Sequence, residues 1–459
     1  MSTLTKLEGK KVLVFGLGLH GGAVSVAQWL VGQGATVTVT DRRSSLILRP
    51  SLRKLRGLGI RFELGSHSRA VVASSDIIVK NPGVPINSPY LMFARKQGIP
   101  IVTDISLFIE RTPSPLFAIT GTKGKTTTTR MLYDMVLRRW PHSVLAGNPG
   151  LSPLTLLKGI RRQDPTVIEL SSWQLEDLSF FRLKPHLAVI TNLFPDHLNT
   201  HGTMAGYAKA KSVIFSRQTK KDFTILNFDN KLTRSLAKKA GGTVVWFSLH
   251  PLERERACFI RDNTVVCRSK KIEQAICPVD AIRVPGSHNR ENALAAVTAA
   301  YTVGVPVKYI ASALSHFRGV AGRQELVTVK NGVRFINDTT ATNPESAVAA
   351  LETISGRIIL IAGGADKKLP YANFVREIVR KVGCLILLPG TATAKISALL
   401  RKRKFPHSFA RSMDHAVKLA SARAKKGDTV ILSPGSASFG LFLHEFDRGR
   451  QFVAAVKKL

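Results

Sequence analysis

Short, β-branched runs alternate with helix-patterned stretches along the chain, and that alternation starts afresh three times. The first series has strand-like runs at 11–15, 36–40, 77–79 and 100–103, bounded by Gly, Pro or Asp, with helical patterns at 22–33 and 91–97. A second series begins at 116–120. A third begins at 333–337 and continues at 358–362, 384–388 and 430–433. Strands separated by helices pair in parallel, so the pattern predicts an α/β chain of three parallel-sheet domains. The boundaries fall near 107 and 319, giving domains at 1–107, 108–319 and 320–459. The 459 residues agree with the prior of roughly 150 residues per domain.

Composition narrows the class further. With 44% hydrophobic and 21% charged residues, the chain can bury cores, which excludes wholesale disorder, collagen and coiled coil. No apolar run approaches the ~18 residues of a membrane span. Residues 1–11 lack the apolar stretch of a secretory signal, so a cytoplasmic protein without membrane insertion is expected. Cys258, Cys267, Cys277 and Cys384 form no C-x-x-C pair and read as separate reduced thiols. The 67 Lys plus Arg against 30 Asp plus Glu leave a net charge of +37, which makes nucleic acid the first partner to weigh. Residues 318–459, however, carry 24 basic and 10 acidic side chains, close to their share by length. The densest run, Arg401-Lys402-Arg403-Lys404, follows a helical pattern at 392–400 and reads as a solvated helix end. With no RNA- or DNA-binding signature present, a general basic bias suited to anionic small substrates is the preferred reading, with no specific nucleic acid.

Two glycine-rich turns carry chemistry. Gly16-Leu17-Gly18-Leu19-His20-Gly21 is an unbroken G-x-G-x-x-G between a strand and a helix, the pattern that brings a diphosphate close to a helix N-terminus in a Rossmann-like domain. Asp41, at the end of the next strand, is placed to accept from a ribose hydroxyl. This motif alone points to an NAD-dependent oxidoreductase, but it does not specify which nucleotide diphosphate binds. The second turn is Gly121-Thr122-Lys123-Gly124-Lys125-Thr126-Thr127, behind a strand and ahead of a helical pattern at 128–136. Backbone amides and the Lys125 ammonium can cradle phosphates, and Thr126 can ligate Mg²⁺. The first Gly of the usual P-loop is replaced by Ile119, so this is a shortened P-loop and an ATP site.

Five further segments follow in order: Glu169-Leu170-Ser171-Ser172-Trp173-Gln174-Leu175, Thr191-Asn192-Leu193-Phe194-Pro195-Asp196-His197-Leu198, Gly286-Ser287-His288-Asn289 with Asn292, Asn337-Asp338 with Arg323, and Ser433 to Phe439. Together with the two turns, they resemble the Mur ligase family over essentially the whole chain. Asn337 to Asn343 and Ser438-Phe439 most resemble the branch that adds D-glutamate to UDP-N-acetylmuramoyl-L-alanine. The resemblance implies an N-terminal Rossmann-like domain for the UDP substrate, a central P-loop-type ATPase domain and a C-terminal Rossmann-like domain for the amino acid. It also implies an ATP-dependent, amide-forming monomer that works through an acyl phosphate in peptidoglycan synthesis.

By that resemblance Lys125, His197 and Lys211 are catalytic. ATP falls to Gly121, Thr122, Lys123, Gly124, Lys125, Thr126, Thr127, Asn289, Asn292, Arg323 and Asp338. Two Mg²⁺ sites draw on Thr126, Glu169, His197 and Lys211, with Lys211 carbamylated. The UDP substrate falls to Gly18, Leu19, His20, Asp41, Arg42, Asn81, Gly83, Asn148, Ser171 and Gln174. D-Glutamate falls to Thr342, Lys367, Ser438 and Phe439. From the residues alone, His197 is as readily a capping or core histidine, Lys211 reads as a surface lysine, and Lys209 competes with it for the motif. Three positions depart from the pattern: Thr340 stands where the branch often has Lys, Gly322 where it has His, and Glu445-Phe446 displaces an aromatic by one residue. The alternatives are a sister ligase, of the Mur or folylpolyglutamate type, that adds another amino acid; an NAD-dependent oxidoreductase; and a nucleic-acid-binding protein.

Overall fold

The computed structural model describes residues 6–147, 151–196, 201–284 and 286–459. It separates into two compact units: Met1–Arg283 with Ser287–Phe317, and Val284–Gly286 with Arg318–Leu459. The first unit holds two sheets and the second holds one, each flanked by helices.

The first sheet comprises β1 (Lys11–Phe15), β2 (Thr36–Asp41), β3 (Arg61–Leu64), β4 (Ile77–Lys80) and β5 (Ile101–Val102). All pairings are parallel, in the order β3-β2-β1-β4-β5. β1 and β4 are buried along nearly their whole length, as strands covered on both faces must be. The run expected at 100–103 shrinks to two strand residues because Thr103 leaves the sheet to cap the helix Asp104–Arg111. There it forms a reciprocal capping box with Ser106.

The second sheet comprises β6 (Leu116–Thr120), β7 (Val144–Ala146), β8 (Thr166–Glu169), β9 (Leu187–Ile190), β10 (Phe223–Asn227), β11 (Thr243–Ser248), β12 (Arg256–Arg261), β13 (Thr264–Ser269) and β14 (Ile272–Pro278). Its order is β14-β13-β12-β11-β10-β9-β6-β8-β7. From β7 to β12 the pairings are parallel, and β12-β13-β14 is an antiparallel meander. The helix Lys125–Arg139 packs on the helix Ser287–Thr302, which is rich in buried alanine.

The meander corrects the reading of the thiols. Asp262 and Asn263 both have positive φ and form the tight turn between β12 and β13. Cys258 and Cys267 lie symmetrically about that turn, pair directly across the strands with Cα atoms 4.0 Å apart, and are joined as a disulfide. Only Cys277 and Cys384 are free thiols.

In the second unit, β15 (Glu325–Lys330), β16 (Val333–Asn337), β17 (Ile358–Ala362), β18 (Val382–Leu387), β19 (Ser408–Phe409) and β20 (Thr429–Leu432) form a sheet in the order β15-β16-β20-β17-β18-β19. It is parallel except for the β15–β16 hairpin, which turns at Asn331-Gly332. β17 and β20 are wholly buried. The chain is thus α/β on three parallel-dominated sheets, as its alternation predicts. Among the described residues no helix is long and apolar enough to cross a membrane.

Candidate active site

Among the described residues, the two glycine turns and the segments at Glu169, Thr191, Asp338 and Ser433 lie at or beyond the carboxyl end of a parallel strand, the edge where open α/β sheets bind ligands. Three such edges are described in turn.

At the first sheet, residues 16–21 leave β1, and Gly16, Gly18 and Gly21 all have positive φ. Asp41 is buried and turned inward. Its Oδ2 accepts from the amides of Leu17 and Gly18 at 2.9 and 3.0 Å, and its Oδ1 accepts from the amide of Arg43 at 2.9 Å. Asp41 therefore shapes the turn, and its carboxylate still has acceptor capacity for the ribose hydroxyl that the sequence suggests. Asn81 braces the same turn from β4, donating through Nδ2 to Gly16 O at 3.2 Å and accepting from the Gly83 amide at 3.0 Å. His20 and Arg42 are exposed, and Gly18 and Leu19 are half-buried.

At the second sheet, the P-loop follows β6. Gly124 caps the helix Lys125–Arg139 in the left-handed region, with no side chain capping the helix amides. That leaves a helix N-terminus suited to phosphate oxygens. A Cβ at Gly124 would overlap the buried Asn292 amide, and one at Gly121 would overlap the Thr191 hydroxyl, so both positions require glycine. The strand end after β9 grips the loop. Asn192 O and Oδ1 accept from the Thr122 and Lys123 amides, each at 2.9 Å, and Thr191 Oγ1 donates to Lys123 O at 2.7 Å. Lys125 Nζ reaches Thr122 O at 3.2 Å, and Thr126 and Thr127 occupy the first helical turn. Asn292 lies beneath the loop and bonds to Asn289 at 3.4 Å.

Lys211 is the unexpected member of this group. Far from lying on the surface, it is 1% exposed. Its Nζ donates to Gly121 O at 2.8 Å and to Thr120 Oγ1 at 3.3 Å, and sits 4.8 Å from the Tyr207 ring centre. Burial, reinforced by the charge of Lys125, brings the amine down to about 7, against the opposing pull of Asp196 and Glu169. Lys209, its competitor by register, shares the same helix, but it is Lys211 that the fold carries under the P-loop. Glu169 ends β8. Ser171 and Gln174 form a reciprocal cap on the helix Ser172–Leu178, with Ser171 donating from N and Oγ to Gln174 Oε1, both at 2.9 Å. Among the described residues no three His, Cys, Asp or Glu side chains converge as a ready metal cage. His197 and Asn148 lie outside the described residues.

At the third sheet, Asp338 follows β16 and is buried. Its Oδ2 accepts from Ser433 Oγ at 2.8 Å and its Oδ1 from the Gln324 amide at 3.2 Å. Burial raises its carboxyl to about 7 despite those bonds and the nearby Arg323 and Arg448. Thr342 and Lys367 come together, Lys367 Nζ donating to Thr342 Oγ1 at 3.1 Å. Ser438 is buried and Phe439 is exposed. Two of the three departures are partners: Thr340 donates from N and Oγ1 to Gly322 O at 3.1 and 2.9 Å, and Gly322 has the positive φ that suits glycine. Glu445, the third, lies close enough to Lys367 and Arg448 to act on both electrostatically.

Arg448 escaped the sequence reading. It is fully buried and ties two loops together, donating to Thr339 Oγ1 at 3.1 Å, Thr339 O at 2.8 Å and Ser436 O at 3.1 Å. A signal was available. Arg448 shares the apolar face of its helix with Phe452, Ala455 and Val456, a place for an arginine only if it is held inside.

Known proteins match this arrangement along the chain. Residues 10–103 match the Mur ligase MurD-like N-terminal domain, 119–300 the Mur ligase middle domain, and 322–435 the Mur ligase glutamate ligase domain. A UDP-N-acetylmuramoylalanine–D-glutamate ligase of Roseiflexus sp. (strain RS-1) is 44% identical, over 98% of this chain and 99% of that protein. One of the same name from Koribacter versatilis is 39% identical over 99% and 98%. Among solved structures, the UDP-N-acetylmuramate–alanine ligase of Thermotoga maritima superposes with a TM-score of 0.62 at 21% identity, over 98% of this chain and 99% of that one. A murein peptide ligase of Psychrobacter arcticus gives 0.57 at 17% identity, over 98% and 99%. The structural likeness is one of fold, whereas the domain models and the near-full-length relatives establish that the chain belongs to the Mur ligase family.

Proposed function

We propose that the chain is an ATP-dependent ligase that joins D-glutamate to UDP-N-acetylmuramoyl-L-alanine, releasing ADP and phosphate, in the assembly of peptidoglycan precursors. The observation that carries this reading is a P-loop whose Gly121 carbonyl receives a buried lysine amine, in a chain whose relatives bear that name along their full length.

Joining a carboxylate to an amine is uphill in water, so the alanyl carboxylate must first be activated. Its oxygen attacks the γ-phosphorus of ATP, ADP leaves, and the D-glutamate amine then displaces phosphate from the acyl phosphate. Lys125 follows the transferring phosphoryl group, and the amides of Gly121 to Thr127 hold the phosphates. The hard oxygens of Thr126 and Glu169, with Asp196 near Lys211, suit Mg²⁺, which supplies charge neutralisation on the triphosphate. Thr126, Glu169, His197 and Lys211 are assigned to its two sites. Lys211 fits carbamylation: its neutral amine adds to CO2 and loses a proton, replacing a cation with a carboxylate-like ligand. At a pKa of about 7, about half of the amine is neutral at pH 7, whereas an ordinary lysine is almost wholly charged.

Asn289, Asn292, Arg323 and Asp338 are assigned to ATP. Gly18, Leu19, His20, Asp41, Arg42, Asn81 and Gly83 are assigned to the uridine diphosphate, and Asn148, Ser171 and Gln174 to the alanyl end. Thr342, Lys367, Ser438 and Phe439 are assigned to D-glutamate, with Lys367 opposite a carboxylate. The protein works as a cytoplasmic monomer. Heavy oxygen placed in the alanyl carboxylate tests the activation step. The label is expected in the released phosphate, and its complete retention in the sugar nucleotide and product would contradict an acyl phosphate.

A further inference from the structure

Lys80 closes β4 yet is only 4% exposed. Its ammonium donates to Val84 O at 3.1 Å and to Asn81 O at 3.5 Å, which ties down the turn that braces the Gly16 loop. From there it reaches into the second sheet's helices: Asp177 Oδ2 lies 2.9 Å away and is itself 8% exposed. Asp177 belongs to the helix Ser172–Leu178, whose cap is Ser171 and Gln174. A second carboxylate, Asp104, opens the helix Asp104–Arg111 that leads out of the first sheet. It feels the same ammonium and bonds to the buried Ser152. One lysine therefore joins the turn behind the glycine loop, the connecting helix and the helix carrying Ser171 and Gln174.

Burying an ion pair is a poor way to gain stability, because desolvation offsets the attraction and an apolar pair of similar volume does as well or better. Unlike an apolar contact, a close buried ion pair holds the two elements it joins at a fixed distance, because separating it leaves two buried charges unpaired. The elements it ties hold the two ends of one substrate in the proposed reaction: the uridine diphosphate at Asn81 and Gly83, the reacting alanyl carboxylate at Ser171 and Gln174. A displacement of about 1 Å between bound groups can cost about 100-fold in rate. We propose that Lys80 and Asp177 are positioning residues that set the register between the diphosphate loop and the carboxylate end of the sugar-nucleotide site. This inference rests on the proposed function, since it needs a substrate that spans both elements.

The test compares a ligand that touches one end with one that spans both. For Asp177→Asn, the Kd of UDP alone is expected to stay within about twofold of wild type, because the glycine loop and Lys80 are intact. For UDP-N-acetylmuramoyl-L-alanine, kcat/KM is expected to fall at least about 10-fold, with the KM for ATP unchanged. If Asp177→Asn does not fold, Asp177→Glu, which keeps the charge but lengthens the tie and leaves Lys80 in place, carries the same comparison. Equal losses for UDP and for the whole substrate would mean general disruption, and unchanged kcat/KM a structural role only; either overturns the proposal. Wild-type protein that binds UDP but does not turn over the whole substrate would overturn the proposed function, and this inference with it.

Discussion

Replacing Asp338 by Asn removes a buried charge while keeping its hydrogen bonds. The new amide's Oδ1 can accept from the Gln324 amide, and its Nδ2 can donate to Ser433 Oγ. In the native protein this carboxyl stands at about 7, against 3.8 for an ordinary aspartate, because burial disfavours the ion. Between those values the folded state holds a proton that the unfolded state has lost, so stability falls as pH rises from about 4 through about 7. The full penalty is on the order of 4 kcal/mol above pH 7, and about 2.5 kcal/mol of it accrues between pH 5 and pH 8. The variant carries none of this, and other titrating groups cancel in the comparison. For a unit the size of Arg318–Leu459, about 3 °C per kcal/mol converts the difference to about 8 °C. Calorimetric melting of both proteins, without nucleotide, should show the Asp338→Asn variant gaining about that much over native between pH 5 and pH 8. A gap that does not change with pH would refute the reasoning, meaning that Arg323 and Arg448 keep the carboxylate ionised.

The other substitutions probe the remaining parts of the site. Gly124→Ala forces a Cβ into the Asn292 amide at a positive φ, and equilibrium dialysis should find ATP affinity lowered at least about 10-fold with the fold retained by circular dichroism. Arg448→Met leaves the Thr339 and Ser436 carbonyls without their donor and should cost on the order of 3 kcal/mol in urea unfolding; a loss below about 1 kcal/mol would mean that water replaces the guanidinium. Stripping CO2 from the buffer should lower activity reversibly at pH 7, with bicarbonate restoring it. Lys211→Arg, which cannot form the adduct, should be inactive whether or not bicarbonate is present.

Much of the molecule is legible in its sequence because local rules and the fold agree there. The glycine turns need backbone freedom at fixed spacing, and the strands at 358–362 and 429–432 are almost wholly apolar on both faces because both are covered. The P-loop motif carries its own mechanism, although nothing in Thr191-Asn192 announces that these residues hold it in shape. The antiparallel hairpins were written in Asp262-Asn263 and Asn331-Gly332, and the first would have placed Cys258 opposite Cys267. What was not legible depends on partners distant in the chain. Lys211 reads as a surface lysine until the helix Met204–Ser212 is packed beneath the P-loop. Asp41 looks free until the amides of Leu17 and Gly18 close on it, and Lys80 with Asp177, far apart in the chain, has no local signature at all.

The measurement that tests the central claim most directly is phosphate release from ATP in the presence of Mg²⁺ and UDP-N-acetylmuramoyl-L-alanine, across a panel of amino acids that includes both glutamate enantiomers. Release that requires D-glutamate, and that disappears in Lys125→Ala, is the predicted result. Release driven by a different amino acid would keep the ligase chemistry but contradict the D-glutamate assignment. No release with any of them, from folded protein that binds the sugar nucleotide, would contradict the ligase itself.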